Sequence, residues 1–513
     1  MESIGLLVHV PGSRHDGSML PLLIACQSPD GDTAAFTTDA GLILSAVLSC
    51  PEPVALSWRE VGEGMVRHQD ADADRLDGGG LIVEDLDGDG ALEMMVFFDG
   101  SPPALYRVTD GVLVEDATDW PTLHGHPTLI DFNGDGHLDI LLTTLSVLWG
   151  DSDGGLVAEV SVYEGNPSRD LLAADLDADG TQDLFIARTA QESLEQMQDH
   201  ILWGDSTDFS PEGLPMASAA RKAFDARLLD WDGDGDLDVY VVNDMGNEFG
   251  GNVLWRNDGG VLVDASADCD CGIVMSGMGV SVGDYNRDGW TDLYLTATQN
   301  NVLLAGEESG SFVDVTAVTG ADPISGYMEM AWGSTWLDHD NDGDADLLVL
   351  QGDLYDASSE DYIVYDAPIH LLSQEEDGTF TDVAEPLGLT ALGSYRAGVA
   401  AELNGDGVLD LVVTDVVDRP RVYFSEGCTA AGWLEVIAPE HSRVVVEADG
   451  QTQTVIVSRD SGYAATGPAR AWFGLGGAEV VERLTVTTLD GQVRTAEGFA
   501  ARRQVHVMDA AGE

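Results

Sequence analysis

Positive charge is what this chain has least of. Over 513 positions, 22 Lys and Arg residues stand against 92 Asp and Glu, a formal net charge of −70. Binding to phosphate backbones is driven by Lys and Arg, so nucleic acid is excluded as a partner, and an anionic membrane surface with it. Divalent cations and cationic partners are the natural counterparts, while solubility or a saline habitat is the plainer reading of the same acidity. Long apolar runs are missing too: no stretch reaches the roughly 18 apolar residues that a transmembrane helix needs. Cysteine is sparse, with five in all (Cys26, Cys50, Cys269, Cys271 and Cys428), and no CxxC or Cys/His spacing suggests zinc. Helical periodicity is scarce, and only residues 189–200 have a pattern for one or two helical turns.

Near the N-terminus a short apolar run, residues 19–26, ends in Leu23, Ile24, Ala25 and Cys26, with Arg14 ahead of it. It has the form of a bacterial lipoprotein cleavage box, in which the cysteine becomes the lipidated first residue; an ordinary export signal or a misplaced start codon accounts for the same residues. Residues 1–53 are therefore read as an export or lipoprotein signal and linker. On the lipoprotein reading Cys26 is the lipidation position, and a lipid anchor would be the membrane connection.

What the chain does have is one pattern seven times over: D-x-[DN]-x-[DN]-G-x-x-[DE], followed by an apolar run. The copies start at Asp85, Asp131, Asp175, Asp230, Asp284, Asp338 and, with a glutamate, Glu402, at intervals of 46, 44, 55, 54, 54 and 64 residues. A period of this size indicates propeller blades or an array. The runs after each loop (MMVFF, ILLTT, LFIA, VYVV, LYLTA, LLVL, LVVT) are rich in β-branched and aromatic residues and too short for helices. A second signature between loops, strongest at residues 310–316 and 378–383 and weaker near Val112 and Val261, marks the outer strand of each blade. The fold class is all-β: a seven-bladed β-propeller over residues 54–430, then a small all-β domain over 431–513. A ring removes exposed sheet edges but needs a clasp. The seventh blade runs out of strands after residues 421–424, and residues 54–61 have unassigned strand character, so they are expected to complete it. Cys50 and Cys428 then fall near the same end of the ring and are expected to form a disulfide, leaving Cys269 and Cys271 to each other or reduced.

The loop pattern is that of an oxygen-only cation site. Side chains at positions 1, 3 and 5 point inward, glycine at 6 allows a sharp turn, position 7 offers a carbonyl, and a carboxylate at 9 can bind through both oxygens. Calcium accepts this arrangement, whereas magnesium demands a stricter octahedron and zinc prefers Cys or His. The expected ligands are Asp85, Asp87, Asp89, Ala91 and Glu93 in the first loop, and Asp131, Asn133, Asp135, His137 and Asp139 in the second. They are Asp175, Asp177, Asp179, Thr181 and Asp183 in the third, and Asp230, Asp232, Asp234, Asp236 and Asp238 in the fourth. They are Asp284, Asn286, Asp288, Trp290 and Asp292 in the fifth, and Asp338, Asp340, Asp342, Asp344 and Asp346 in the sixth. In the seventh they are Glu402, Asn404, Asp406, Val408 and Asp410. The second, fifth and seventh loops each hold an asparagine and are expected to bind more weakly. Up to seven calcium ions would bring the formal charge only from −70 to about −56, so most of the acidity serves something else.

With the loops placed, the repeats resemble the FG-GAP/VCBS propeller repeats. The order of parts is similar to the cartilage acidic protein family, which follows such a propeller with an ASPIC/UnbV domain. Residues 239–244 (VYVVND) and 276–284 (SGMGVSVGD) match that family's repeats, and Gly462, Tyr463 and residues 472–476 (WFGLG) match its C-terminal signature. The Asn/Arg-rich loop expected after the first strand of that domain is missing between Ile437 and Arg443. The resemblance implies an extracellular or cell-surface calcium-binding protein of recognition or adhesion without catalysis, taking a protein or glycan ligand, cationic ones included. The alternative is a calcium-stabilised polysaccharide-active enzyme, lyase-like. Such an enzyme needs a base and a charge-neutralising group, for which the candidates are His124, His126, Tyr362, Tyr365 and His370.

Overall fold

In the computed structural model, the apolar runs on either side of every acidic loop become an antiparallel strand pair joined by that loop. The structure describes residues 36–508, apart from 38–40, 49, 51–53, 63–64, 66–78, 99–101, 110, 117–119, 121, 124, 145, 152–155, 162–167, 190–197, 206–207, 214–220, 325–328, 354–366, 417, 429 and 460. The lipidation position Cys26, the candidate residues His124, Tyr362 and Tyr365, and most of the expected helical turn at 189–200 lie outside the described residues. No helix among the described residues is long and apolar enough to cross a membrane.

Among the described residues there are seven four-stranded antiparallel units, each carrying one acidic loop between its first and second strands. The first unit is Leu81–Glu84, Glu93–Val96, Ala104–Thr109 and Val112–Asp116. The fifth is Gly277–Gly283, Asp292–Ala297, Val302–Gly306 and Phe312–Asp314, its outer strand falling on the FVD of the second sequence signature. The seventh takes Tyr395–Ala401, Asp410–Asp415 and Arg421–Cys428 from its own stretch of chain and Val54–Glu60 from the N-terminal side. Trp58 lies opposite Ser425, and Val54 opposite Cys428.

First strands line the axis and are stitched blade to blade. The Thr128 hydroxyl donates to the Leu171 carbonyl (3.1 Å), the Ala226 and Val280 N–H groups donate to Asp170 and Asp225 (2.9 and 2.8 Å), and the Thr335 hydroxyl donates to the Gly398 carbonyl (3.0 Å). Between the blades lie buried aliphatic and aromatic side chains, among them Leu81, Val83, Met94, Trp332 and Val399.

The small C-terminal domain is two sheets. One is antiparallel, in the order Gln451–Ile456, Arg443–Ala448, Val480–Thr487, Val493–Ala500. The other contains Gly432–Ile437, Arg470–Gly476 and Arg503–Val507, and it is extended by two strands from the N-terminal side, Phe36–Thr37 and Leu42–Leu44. The strands Phe36–Thr37 and Leu42–Leu44 therefore belong to the sheet of the C-terminal domain, not to the linker in which the sequence places them. Leu42 and Leu44 are fully buried there, opposite Val507 and Val505. A three-residue strand is too short for periodicity to reveal.

This domain reaches into the ring. Residues 461–467 form a tight hairpin turn that enters the axis, and Ala465–Thr466 pairs in parallel with Leu81–Ile82, adding a fifth strand to the first blade. At its tip Tyr463 is 1% exposed. Its ring lies 5.5 Å from that of Phe224, 5.4 Å from that of Trp332 and 5.0 Å from that of His126. The Thr335 hydroxyl also donates to the Ser461 carbonyl (2.8 Å), and Thr466 to the Pro127 carbonyl (3.1 Å). The axis is thus filled by the chain's own tail.

Candidate metal centre

Each acidic loop is wound by its own side chains. The position-one carboxylate accepts the N–H of the glycine at position six: Asp85 from Gly90, Asp131 from Gly136, Asp175 from Gly180, Asp284 from Gly289 and Asp338 from Gly343, all at 2.8–3.0 Å. In the fourth loop Asp230 accepts from Gly233. In the seventh, the longer Glu402 accepts from Asn404, Gly405 and Asp406. The position-five carboxylate accepts the N–H at position seven, that is of Ala91, His137, Thr181, Asp236, Trp290, Asp344 and Val408, at 2.8–3.0 Å. This fixes the turn on which the expected carbonyl ligands stand. Glycine at position six has φ between +84° and +96° in all seven loops, a region closed to other side chains at modest cost. Position four is left-handed in every loop as well, including Ala178, Arg287 and Asn341.

The position-nine carboxylate is buried in all seven loops and closes the turn. Asp139, Asp183, Asp238, Asp292, Asp346 and Asp410 each accept one N–H from position two of the loop (2.7–3.0 Å) and a second from the blade's third strand (2.7–2.8 Å). Both oxygens are thus fixed by the backbone; in Asp139, Asp183, Asp238 and Asp292 each keeps one lone pair for a cation, whereas Asp346 Oδ2 also meets His339 Nδ1 and Asp410 Oδ1 also accepts from Asn404 Nδ2. Burial raises the Asp139 carboxyl above its usual range. It raises Asp183 to about 6, Asp238 to about 7, Asp410 to about 7 and Asp292 to about 8, against the lowering effect of the two N–H donors.

Four loops bring three carboxylates together with oxygens within 4.8 Å of one another: Asp85, Asp87 and Glu93; Asp175, Asp177 and Asp183; Asp230, Asp232 and Asp234; and Asp338, Asp340 and Asp342. A buried oxygen without a hydrogen-bond partner, Asp85 Oδ1, lies in the first of them. A hard divalent cation fits this donor set. In the second and fifth loops the asparagine Nδ2 donates to a neighbouring ligand, Asn133 to Asp135 and Asn286 to Asp288 (3.0 and 2.8 Å). In the seventh, Asn404 Nδ2 donates to Asp410 (3.2 Å), and burial raises Glu402 to about 8.

The sixth loop is the most enclosed, because the C-terminal domain sits on it. Trp472 Nε1 donates to Asn341 Oδ1 (2.9 Å), Gly476 N–H to the Asn341 carbonyl (2.8 Å), and Asn341 Nδ2 to the Gly407 carbonyl of the seventh loop (3.0 Å). A Cβ on Gly474 would stand 1.8 Å from Asp338 Oδ2. The Trp433 and Trp472 rings stack at 4.9 Å beside these loops. Arg287 of the fifth loop crosses to Asp344 (2.6 Å). His339 Nδ1 lies 2.6 Å from Asp346 Oδ2, within reach of Asp340, and sequence reasoning did not single it out.

Two histidines considered for catalysis are committed elsewhere. His126 lies against Tyr463 in the axis, and His370 has Asp382 on Nδ1 (2.6 Å) and Gln351 on Nε2 (3.0 Å). Of the cysteines, Cys269 and Cys271 are bonded to each other, and Cys50 is in a disulfide.

An all-β ring of repeated units, each with one acidic loop, and a C-terminal β domain docked on it define a β-propeller of the repeat type. Comparison with known proteins gives the family. The FG-GAP-like repeat model matches residues 85–142, 131–186, 230–295 and 284–349, each match running from one acidic loop through the next, and the ASPIC and UnbV model matches 441–513. The chain carries FG-GAP-like repeats followed by an ASPIC/UnbV domain, and it is distantly related to cartilage acidic protein 1. Cartilage acidic protein 1 of Xenopus tropicalis is 22% identical over 282 residues, a match spanning 48% of this chain and 43% of that relative. Among solved structures, an Agrocybe aegerita lectin described as recognising non-reducing terminal N-acetylglucosamine is similar at a TM-score of 0.37 (14% identity, 79% of this chain, 97% of that one). BBS1N in complex with ARL6DN is similar at 0.43 (8% identity, 72% and 97%).

Proposed function

We propose that this protein is a calcium-stabilised recognition or adhesion module, extracellular or at the cell surface, that binds a protein or glycan ligand without catalysis. The observation that carries this reading is the repeated loop: seven turns wound around position-one and position-nine carboxylates, four of them converging three carboxylates on one point. The expected oxygen ligands from Asp85 to Asp410 would hold up to seven calcium ions, which supply positive charge to loops whose buried acids are otherwise driven toward protonation. The family of FG-GAP and ASPIC/UnbV proteins supports an extracellular setting, and Cys26 offers a lipid anchor. The acidity left after metal binding favours ligands with cationic surfaces.

Melting in calcium and in excess chelator tests the reading. For an ion at 100 times its Kd, each site contributes about 2.7 kcal/mol, so several sites together rival the stability of a domain. A large fall in melting temperature on chelation is expected, and an unchanged one refutes the calcium reading. A glycan and protein-partner screen, run with calcium and then with chelator, addresses the ligand.

A further inference from the structure

We infer that Arg107 is the resident cation of the first acidic loop, so that calcium enters this loop after the other fully acidic loops and must displace the guanidinium to do so. The inference rests on reading the loops as calcium sites. Arg107, on the third strand of the first blade, pairs in register with Glu93, the position-nine residue. Its Nη1 lies 2.7 Å from Asp87 Oδ2 and 2.7 Å from Glu93 Oε1, and its Nε lies 2.5 Å from Asp116 Oδ2. A guanidinium therefore bridges two of the four expected side-chain ligands, and a third carboxylate from the outer strand holds it there.

Two substitutions in this blade work together. The six other loops close with aspartate, whose second oxygen accepts a backbone N–H from the third strand. Here the closer is glutamate, one methylene longer. Its Oε2 accepts the Leu86 N–H (2.8 Å), and its Oε1 is turned to Arg107. The fourth blade provides an internal comparison, since Arg256 occupies the same register position next to Asp238. Arg256 turns away, with Nη2 2.8 Å from Asp258 Oδ2, and Asp238 keeps both backbone donors. An arginine at this position thus fills the loop only where glutamate reaches for it.

One guanidinium does not satisfy four carboxylates. Asp85 Oδ1 stays buried without a hydrogen-bond partner, so a divalent ion still has a reason to enter, at the cost of three charge-assisted contacts. Calcium binding and the Arg107 contacts are mutually exclusive at Asp87 and Glu93, which makes Arg107 the residue that sets the affinity of this loop.

Calcium titration calorimetry on the full chain tests this with R107Q, R256Q, D87N and D177N. The wild type is expected to show one site weaker than its fully acidic counterparts. R107Q should tighten one site by about 10- to 100-fold, a normal range for coupling between two ligands of one site, and R256Q should change nothing. D87N should remove one weak site and leave the tight sites of the other fully acidic loops in place. An unchanged titration for R107Q, or loss of a tight site in D87N, overturns the inference. D177N in the third loop separates the failures. If it removes a tight site while R107Q has no effect, this inference alone falls; if no variant alters the titration, the calcium reading falls and this inference with it.

Discussion

Replacing Tyr463 with alanine removes the tip of the hairpin that fills the propeller axis. The side chain is 1% exposed and in contact with Phe224, Trp332 and His126, which come from three different blades. Truncating a buried large aromatic typically costs about 3–5 kcal/mol, part transfer free energy and part residual cavity. This site favours the upper half of that range, because the surrounding rings are held by β-strands and collapse poorly, and because each aromatic pair adds about 0.5–1.5 kcal/mol beyond its area. With an unfolding entropy of about 2.1 cal/mol/K per residue, a chain of this length gains roughly 1 kcal/mol per kelvin near its midpoint, so 4 kcal/mol corresponds to about 4 °C if ring and tail unfold together. Calorimetry in excess calcium reads the shift. Tyr463→Phe, which keeps the ring and loses the hydroxyl, should cost only about 1 kcal/mol. If Y463A melts within 1 °C of the wild type, the hairpin does not support the ring. If only a separate transition of the small domain moves, the tail is not integrated with the blades.

The metal-free protein should respond to pH in the opposite sense to the calcium-bound one. Burial raises Asp183, Asp238 and Asp292 to about 6, 7 and 8 in the folded loops, above their unfolded values near 4. The folded state therefore prefers them protonated, and this contribution is fully present below pH 4 and lost as pH climbs through 6 to 8. Urea midpoints in chelator should fall from pH 5 to pH 8; in saturating calcium, which holds the carboxylates ionised, they should rise. Parallel trends would refute the argument. Non-reducing peptide mapping of exported protein should recover Cys50 linked to Cys428, since Val54 and Cys428 are opposite each other in the clasp, and free thiols at both positions rule the clasp disulfide out.

The seven loops and their strands were legible in the sequence because both depend on local spacing: carboxylates every second residue, glycine at the turn, then a short apolar run. The clasp could be inferred because the seventh blade ran short of strands. What depended on the assembled register was hidden. Leu42–Leu44 is three residues long and becomes a strand only beside Arg503–Val507. The motif at Gly462 and Tyr463 matched a family, but its insertion into the axis follows from where the small domain docks. Arg107 and Arg256 read alike as text, and only the reach of Glu93 separates them. The asparagine at position 341, where the repeat pattern specifies no residue, joins two acidic loops to the C-terminal domain through its carbonyl, Oδ1 and Nδ2.

The two ends of the described chain are neighbours, since Leu42–Leu44 runs antiparallel to Arg503–Val507 within one sheet. Continuing from there, the N-terminal segment supplies Val54–Glu60 to the seventh blade before the ring begins. The segment is therefore a mechanical through-line. Tension applied between residue 36 and the blades loads the small domain first and the clasp second, before any acidic loop feels it. Strands pulled along their length shear against a whole row of hydrogen bonds, which resists far better than opening them one at a time. Tension entering along the N-terminal segment thus meets strand pairing in shear before it reaches the acidic loops.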